Sequence, residues 1–334
     1  MTLGIMYPEM PVGIGPAIPY AELARLGGHR LWFGHSTVVD SHLTMAALAA
    51  RGYTIPFGSA VALFPLWHPH GLAVQSLSVA RLTGHTYVAG IGPGGREFQA
   101  KTFGAPFDKA VTRTIEFTTA FRDVVPPLLA THPSPGRREV DPMFGSVEVG
   151  YGVLRPAMAR ASGRFADWAI TWLTPQSYLQ EVIVPEMARS AEDAARTRPR
   201  LATVVHVAVR RPGRNPSTIA FMSSRAHLQA PHYASMLRLA GLNIDSADPE
   251  NGADELVRSR TFIYGEPHEI VEAFDALRAA GVGEVIVNVY GVGQTHGFGA
   301  ALEDLEEILD AEHNARVRSG VEQHANRARE KVTA

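Results

Sequence analysis

Ile55-Pro56-Phe57-Gly58-Ser59-Ala60-Val61 opens the stretch that decides the fold, and Thr83-Gly84-His85-Thr86-Tyr87-Val88-Ala89-Gly90-Ile91-Gly92-Pro93-Gly94-Gly95 closes it. The first run belongs to a segment, Tyr53–Leu63, that is nearly all apolar, as a strand covered on both faces must be. Between the two runs, His70–Leu82 carries Leu72, Ala73, Leu77 and Ala80 on one face, a helical spacing. Thr86–Ile91 is apolar again and ends in a glycine-rich turn. Strand, helix, strand is a βαβ unit, which implies parallel strands joined by a right-handed crossover.

The same unit recurs in both directions. Leu3–Met6 and Arg30–Phe33 precede it as strands, and Ser146–Val149, Trp168–Thr171, Leu201–Val209 and Glu284–Val289 follow. Helical patterns separate them. Tyr20–Leu26 is closed by Gly27-Gly28, Leu43–Arg51 has Ser41 as its expected N-cap, and Pro156–Phe165 has proline in its first turn. Ala110–Leu129, Pro175–Arg196 and Pro267–Ala280 are helical, and Leu302–Ala311 begins a polar C-terminal helix. A doubly wound sheet and a barrel share this alternation. Eight units favour a (β/α)8 TIM barrel, which takes ~250 residues before insertions. The reading is therefore a single α/β barrel domain over residues 1–334. Its surplus is a polar stretch rich in turn formers, residues 212–260, expected to be an irregular insert.

Composition narrows the function. Lys+Arg 31 against Asp+Glu 33 gives a formal net charge of -2, so no positive excess exists to neutralise a nucleic-acid backbone. Cysteine is absent, which removes disulfides, thiolate catalysis and cysteine-ligated metals. The first twenty residues hold four prolines and no Lys or Arg, unlike a signal peptide. The longest apolar stretch, Ile55–Trp67, is broken by prolines and too short to span a bilayer. A cytoplasmic protein without membrane or nucleic-acid partners is expected.

In such a barrel, chemistry sits at the C-terminal ends of the strands. That rule selects Tyr7 and Glu9, Gly34 and His35, Ser59 to Val61, Gly92 to Gly95 with Glu97, Gly150 to Gly152, and Thr171 with Trp172. His35 stands out, because an imidazole titrating near neutrality can exchange a proton beside a hydride transfer. A histidine hydrogen-bonded within a loop is the plain alternative. Gly90 to Gly95 match G-x-G-x-x-G, but on the fourth unit, with Pro93 inside and no acidic strand end ~20 residues on, so a dinucleotide fingerprint is not supported. The glycines are read instead as letting the backbone approach a flat ring or a phosphate, or as a tight turn alone. Trp67-His68-Pro69-His70 lacks a carboxylate to complete a metal set, so no metal is expected.

Four stretches together resemble the luciferase-like superfamily of flavin monooxygenases and enzymes using the deazaflavin coenzyme F420. They are Leu31 to His35 with Thr44 to Ala50, the Ile55–Gly94 block, Val149–Trp168 with its Phe165-Ala166-Asp167, and Gly265-Glu266-Pro267-His268-Glu269-Ile270 through Ala280-Gly281-Val282. The resemblance implies a barrel with insertions, usually a homodimer. In its deazaflavin branch a non-proline cis peptide lies at the end of the third strand, here Ala60-Val61. It also implies cofactor contacts at His35, Ser59, Ala60, Val61, Gly92, Pro93, Gly94, Gly95, Gly150, Tyr151, Gly152 and Thr171.

Two departures shape the expected chemistry. Many relatives carry a carboxylate just before the histidine, where this chain has Gly34. Deazaflavin-dependent alcohol and sugar-phosphate dehydrogenases tend to carry a glutamate directly after the glycine turn, where this chain has Gly95. The expectation is thus a coenzyme F420H2-dependent reductase acting on an activated C=C or C=N bond of a small-molecule or peptide substrate, dehydroamino-acid peptides included. His35 would be the proton donor, with Glu9 and Glu97 as reserve acids. An FMN-dependent monooxygenase and a non-catalytic flavin-binding barrel are the alternatives.

Overall fold

The structure is a computed structural model, and its description covers residues 3–130 and 145–333. Among these, ten strands run in chain order: β1 Leu3–Met6, β2 Arg30–Phe33, β3 Phe57–Ser59, β4 Ala62–Leu63, β5 Tyr87–Gly92, β6 Val147–Gly152, β7 Trp168–Trp172, β8 Arg200–Val209, β9 Phe262–Gly265 and β10 Glu284–Asn288. Eight close into a parallel barrel in the order β1-β2-β3-β5-β6-β7-β8-β10, with β10 pairing back onto β1. These eight are the strands expected from the sequence. The third is shorter than its apolar run: it stops at Ser59, and after the Ala60-Val61 pair β4 resumes pairing with β5.

Alternation along each strand sorts the interior. Met6, Trp32, Ala60, Val88, Trp168, Ile170, Ala202, Val204 and Ile286 form the core inside the barrel, with Val61 and Trp172 packed against it. Residues of the opposite parity, such as Ile5, Leu31, Phe57 and Ala89, face the helical layer and join the larger core there.

The N-terminal end of the barrel is closed by charged and aromatic side chains. Trp32 Nε1 donates to Glu284 Oε1 at 2.7 Å, and Trp168 Nε1 donates to Glu148 Oε2 at 2.6 Å. Arg30 donates to the Phe57 and Thr86 carbonyls, both at 2.9 Å, and lies over the Trp32 and Trp168 rings at 5.6 and 5.7 Å. Burial pushes the Glu284 carboxyl above its ordinary value, against the opposing pull of Arg30 and the Trp32 indole.

Residues 212–260 differ from expectation. They are not irregular but hold three helices, Pro216–Gln229, Pro231–Leu239 and Pro249–Arg258. The turn-forming residues are the helix starts. Asn215 accepts from Ser217 N and Thr218 N, Asp248 accepts from Asn251 N, and each helix has proline in its first turn. Ile219, Ala220, Leu228, Ala234, Met236, Leu237, Ala253 and Leu256 are buried from these helices. A tenth strand that the sequence reading missed, β9, follows them and extends the upper half of β8 beyond the barrel. The start of the segment is held by Arg214, whose Nη1 donates to the buried Asp304 Oδ2 at 2.6 Å.

Candidate active site at the C-terminal mouth

The mouth is shaped first by the break in strand pairing after β3, beyond which the chain continues in the same direction as β4. The peptide between Ala60 and Val61 is cis, at the position the family resemblance implies. A methyl group at Gly90 would collide with the Ser59 carbonyl, and one at Gly92 would lie 2.7 Å from Val61 Cγ2. Gly152 has Val61 Cγ1 at 3.4 Å in the same direction. These glycines therefore make room for the chain's own Ser59 and Val61. Val61, Gly152 and Trp172 remain partly exposed and form an apolar shelf over the barrel axis.

Beside the shelf stands His35, half-buried, with Nε2 buried and unpartnered. Burial pushes this imidazole below its ordinary value, Asp40 pulls it back up and His42 pushes it down. Asp40, not Ser41 as the sequence reading had it, caps the helix Ser41–Ala50. Its Oδ1 accepts from His42 N at 2.9 Å and Leu43 N at 3.0 Å. Ser41 Oγ turns instead to the Gly34 carbonyl at 2.8 Å. Burial pushes Asp40 up, while the His42 ring and the capping amides outweigh it and hold the carboxyl below its usual range. A carboxylate thus stands near His35 after all, supplied from five residues downstream.

Opposite His35 the mouth is walled by aromatic rings: Trp172, which the strand-end rule selects, and histidine and tyrosine side chains of the three-helix segment, which it does not. Trp172 Nε1 donates to His206 Nε2 at 3.1 Å, and Trp172 stacks on His227 with ring centroids 5.5 Å apart. His227 meets Tyr233 edge-on at 4.7 Å, and Tyr233 contacts His232 at 4.8 Å. Because an indole only donates, His206 Nε2 holds the lone pair and Nδ1 the proton, and that buried Nδ1 has no partner. Burial, with His227 beside it, pushes His206 down to about 3, so it stays neutral at physiological pH. His232 reaches across the mouth until a methyl group at Gly95 would lie 2.7 Å from its Cε1.

The remaining expected residues divide. His35, Ala60, Val61, Gly92 and Gly152 gather at the mouth, with Pro93, Gly94 and Gly95 along its rim. Gly150 packs on Ile170 Cδ1 lower in the barrel. Ser59 is buried, and its Oγ donates to the Gly90 carbonyl at 2.9 Å. Tyr151 and Thr171 face outward: Tyr151 OH bonds Thr118 Oγ1 at 2.5 Å, and Thr171 Oγ1 donates to Thr203 Oγ1 at 2.8 Å. Neither reaches the mouth, and Trp172 occupies the inward position on β7. Glu9 lies in a separate cleft with Tyr7, Tyr20 and Tyr290, its Oε1 accepting from Gln294 at 3.1 Å. Glu97 is exposed on the helix Arg96–Phe103; burial and Arg155 push the His232 imidazole below its ordinary value, and Glu97 opposes them only in part. The reserve acids therefore do not converge on His35. Of the Trp67-His68-Pro69-His70 run, His68 caps the helix Pro69–Thr83 by accepting from His70 N at 3.3 Å.

This fold and mouth define a (β/α)8-barrel oxidoreductase. The chain belongs to the luciferase-like monooxygenase family, whose model matches residues 16–284. It is similar in structure to an F420-dependent secondary alcohol dehydrogenase in complex with an F420-acetone adduct, with a TM-score of 0.65 at 15% identity, covering 93% of this chain and 99% of that one. The coenzyme F420 dependent tetrahydromethanopterin reductase from Methanopyrus kandleri aligns with a TM-score of 0.63 at 15% identity, over 93% and 98% of the two chains. The FMN-bound oxygenating constituent of 3,6-diketocamphane monooxygenase from Pseudomonas putida aligns at 0.62 and 17% identity, over 92% and 96%. No curated protein matches the chain. Among the described residues no helix is long and apolar enough to cross a membrane.

Proposed function

We propose that this protein is a coenzyme F420H2-dependent reductase of activated C=C or C=N bonds in a small-molecule or peptide substrate. One observation carries the reading: the mouth offers an apolar shelf and imidazoles, while Glu9 and Glu97 lie away from His35 and Asp40, the carboxylate near it, is engaged in capping the helix Ser41–Ala50. Alcohol oxidation needs a strong base beside the hydroxyl, whereas reduction of a polarised double bond needs a dry pocket and one proton donor.

The residues present fit a flat deazaflavin ring. Ala60, Val61 and Trp172 would hold it by apolar contact, with the half-buried His35 ring at the edge of the same mouth. When bound, the reduced cofactor supplies a hydride. His35 holds the proton that completes the reduction. Trp172 keeps His206 in its Nδ1–H form, and the rings of the three-helix segment exclude water from that side.

A second reading, an FMN-dependent monooxygenase, is favoured by the matching family's description and by the FMN-bound relative. The test is turnover. Purified protein with F420H2 and a panel of conjugated enones, imines and dehydroamino-acid peptides is expected to consume cofactor only when an acceptor is present, and without taking up oxygen. Oxygen uptake with reduced FMN and no F420H2 oxidation would establish the second reading instead.

A further inference from the structure

Behind His35 lies a small cavity lined by His35, Asp40, His42, Ser59, Ala62 and Trp67, among others. Three of these residues place a buried polar atom without a partner: His35 Nε2, His42 Nδ1 and Trp67 Nε1. His42 is 5% exposed, its ring meets Trp67 edge-on at 5.8 Å, and its Nδ1 is 3.6 Å from Asp40 Oδ1, too far for a direct hydrogen bond. On its other side His42 Nε2 shares a hydrogen bond with Tyr87 OH at 3.0 Å. Buried polar atoms almost always have partners, so three unmet ones on residues lining one cavity mark a place for an occupant.

The chemistry of the lining selects that occupant. The Trp67 N–H can only donate, which disfavours a cation. The Asp40 carboxylate on the same cavity disfavours an anion, and no group of metal-binding side chains is found among the described residues. The space suits one water molecule. A water that accepts from Trp67 and donates to Asp40 has one acceptor and one donor site left. It satisfies both imidazoles only if one donates to it and the other accepts from it.

We propose that this cavity holds one ordered water joining His35 to His42, and that Asp40, His42 and Trp67 are positioning residues that fix the His35 tautomer. The Tyr87 hydroxyl can donate to or accept from His42 Nε2, so His42 is supported in either tautomer. The inference rests on the reading of His35 as the proton donor.

Two measurements on the protein without cofactor or substrate test the cavity itself. A high-resolution crystal structure is expected to show one water within 3.2 Å or so of His35 Nε2, His42 Nδ1 and Trp67 Nε1; a dry cavity or an ion in it overturns the proposal. In two-bond 1H–15N spectra, His35 is expected as one fixed tautomer in the wild type and as an averaged pair in Trp67→Phe. Identical His35 spectra overturn it. In turnover, Trp67→Phe and Asp40→Asn are expected to lower kcat about tenfold with KM within twofold, and to have no further effect in a His35→Ala background. An equal fall in that background means a structural role and overturns it. If His35→Ala itself leaves turnover unchanged while the cavity data hold, the functional reading of His35 fails and the water does not.

Discussion

The two ends of the barrel are built from similar residues and solve opposite problems. At the N-terminal end, tryptophan and arginine meet carboxylates: each indole N–H finds an oxygen at 2.6–2.7 Å, and the Arg30 guanidinium reaches two carbonyls and lies 3.8 Å from Glu284. Among the described side chains there, only Arg30 Nε is left without a hydrogen bond. At the C-terminal end, tryptophan and histidine meet each other. His35 Nε2, His42 Nδ1, Trp67 Nε1, His206 Nδ1 and His227 Nδ1 are all buried and unpartnered. Buried polar groups are almost always satisfied, so a concentration of groups without a protein partner marks this end as the one built to take a guest, the water behind His35 included.

Damage to the closed end has the largest expected effect on stability. Glu284→Ala leaves Arg30 buried without its counter-ion and orphans the Trp32 indole. A loss of about 3–5 kcal/mol is expected in urea denaturation. A loss under about 1 kcal/mol would mean that the closed end is not the anchor described here.

The open end should respond in the other way. His35→Ala is expected to cost roughly 100-fold in turnover while the denaturation midpoint stays within about 1 kcal/mol of wild type. Turnover within a few-fold of wild type would remove His35 from the chemistry.

The third test uses pH. His206 is held at about 3 in the fold against an ordinary value near 6.5. The unfolded chain therefore binds a proton that the native state refuses. The stability this neutral ring contributes is complete above about pH 6.5 and falls as pH drops towards 3. Between pH 7 and pH 5 the wild type is expected to lose roughly 2 kcal/mol more than His206→Phe. Parallel curves for the two proteins would contradict the burial of this ring.

Much of this was legible in the sequence because barrels are written in repeating units. The eight strands follow from apolar runs between helical patterns, and the end of the third strand follows from likeness of the Ile55–Gly94 block to its family. Other features were hidden for identifiable reasons. The helices at 216–258 begin with proline and with capping Asn and Asp, residues that also mark turns. Their apolar faces are short, so local pattern alone did not separate helix from loop. Period-two alternation from Trp168 and Ile170 places Trp172, not Thr171, inward, so the inward residue of this strand is legible in the sequence. Asp40 beside His35, and His232 over Gly95, join residues through the fold, and spacing along the chain does not report such contacts.

The most direct test of the account is a fluorescence titration of the purified protein with oxidised coenzyme F420 and, separately, with FMN. Saturable quenching with micromolar affinity is expected for F420, retained within threefold in His35→Ala, with no comparable binding of FMN. Micromolar binding of FMN with none of F420 would contradict it.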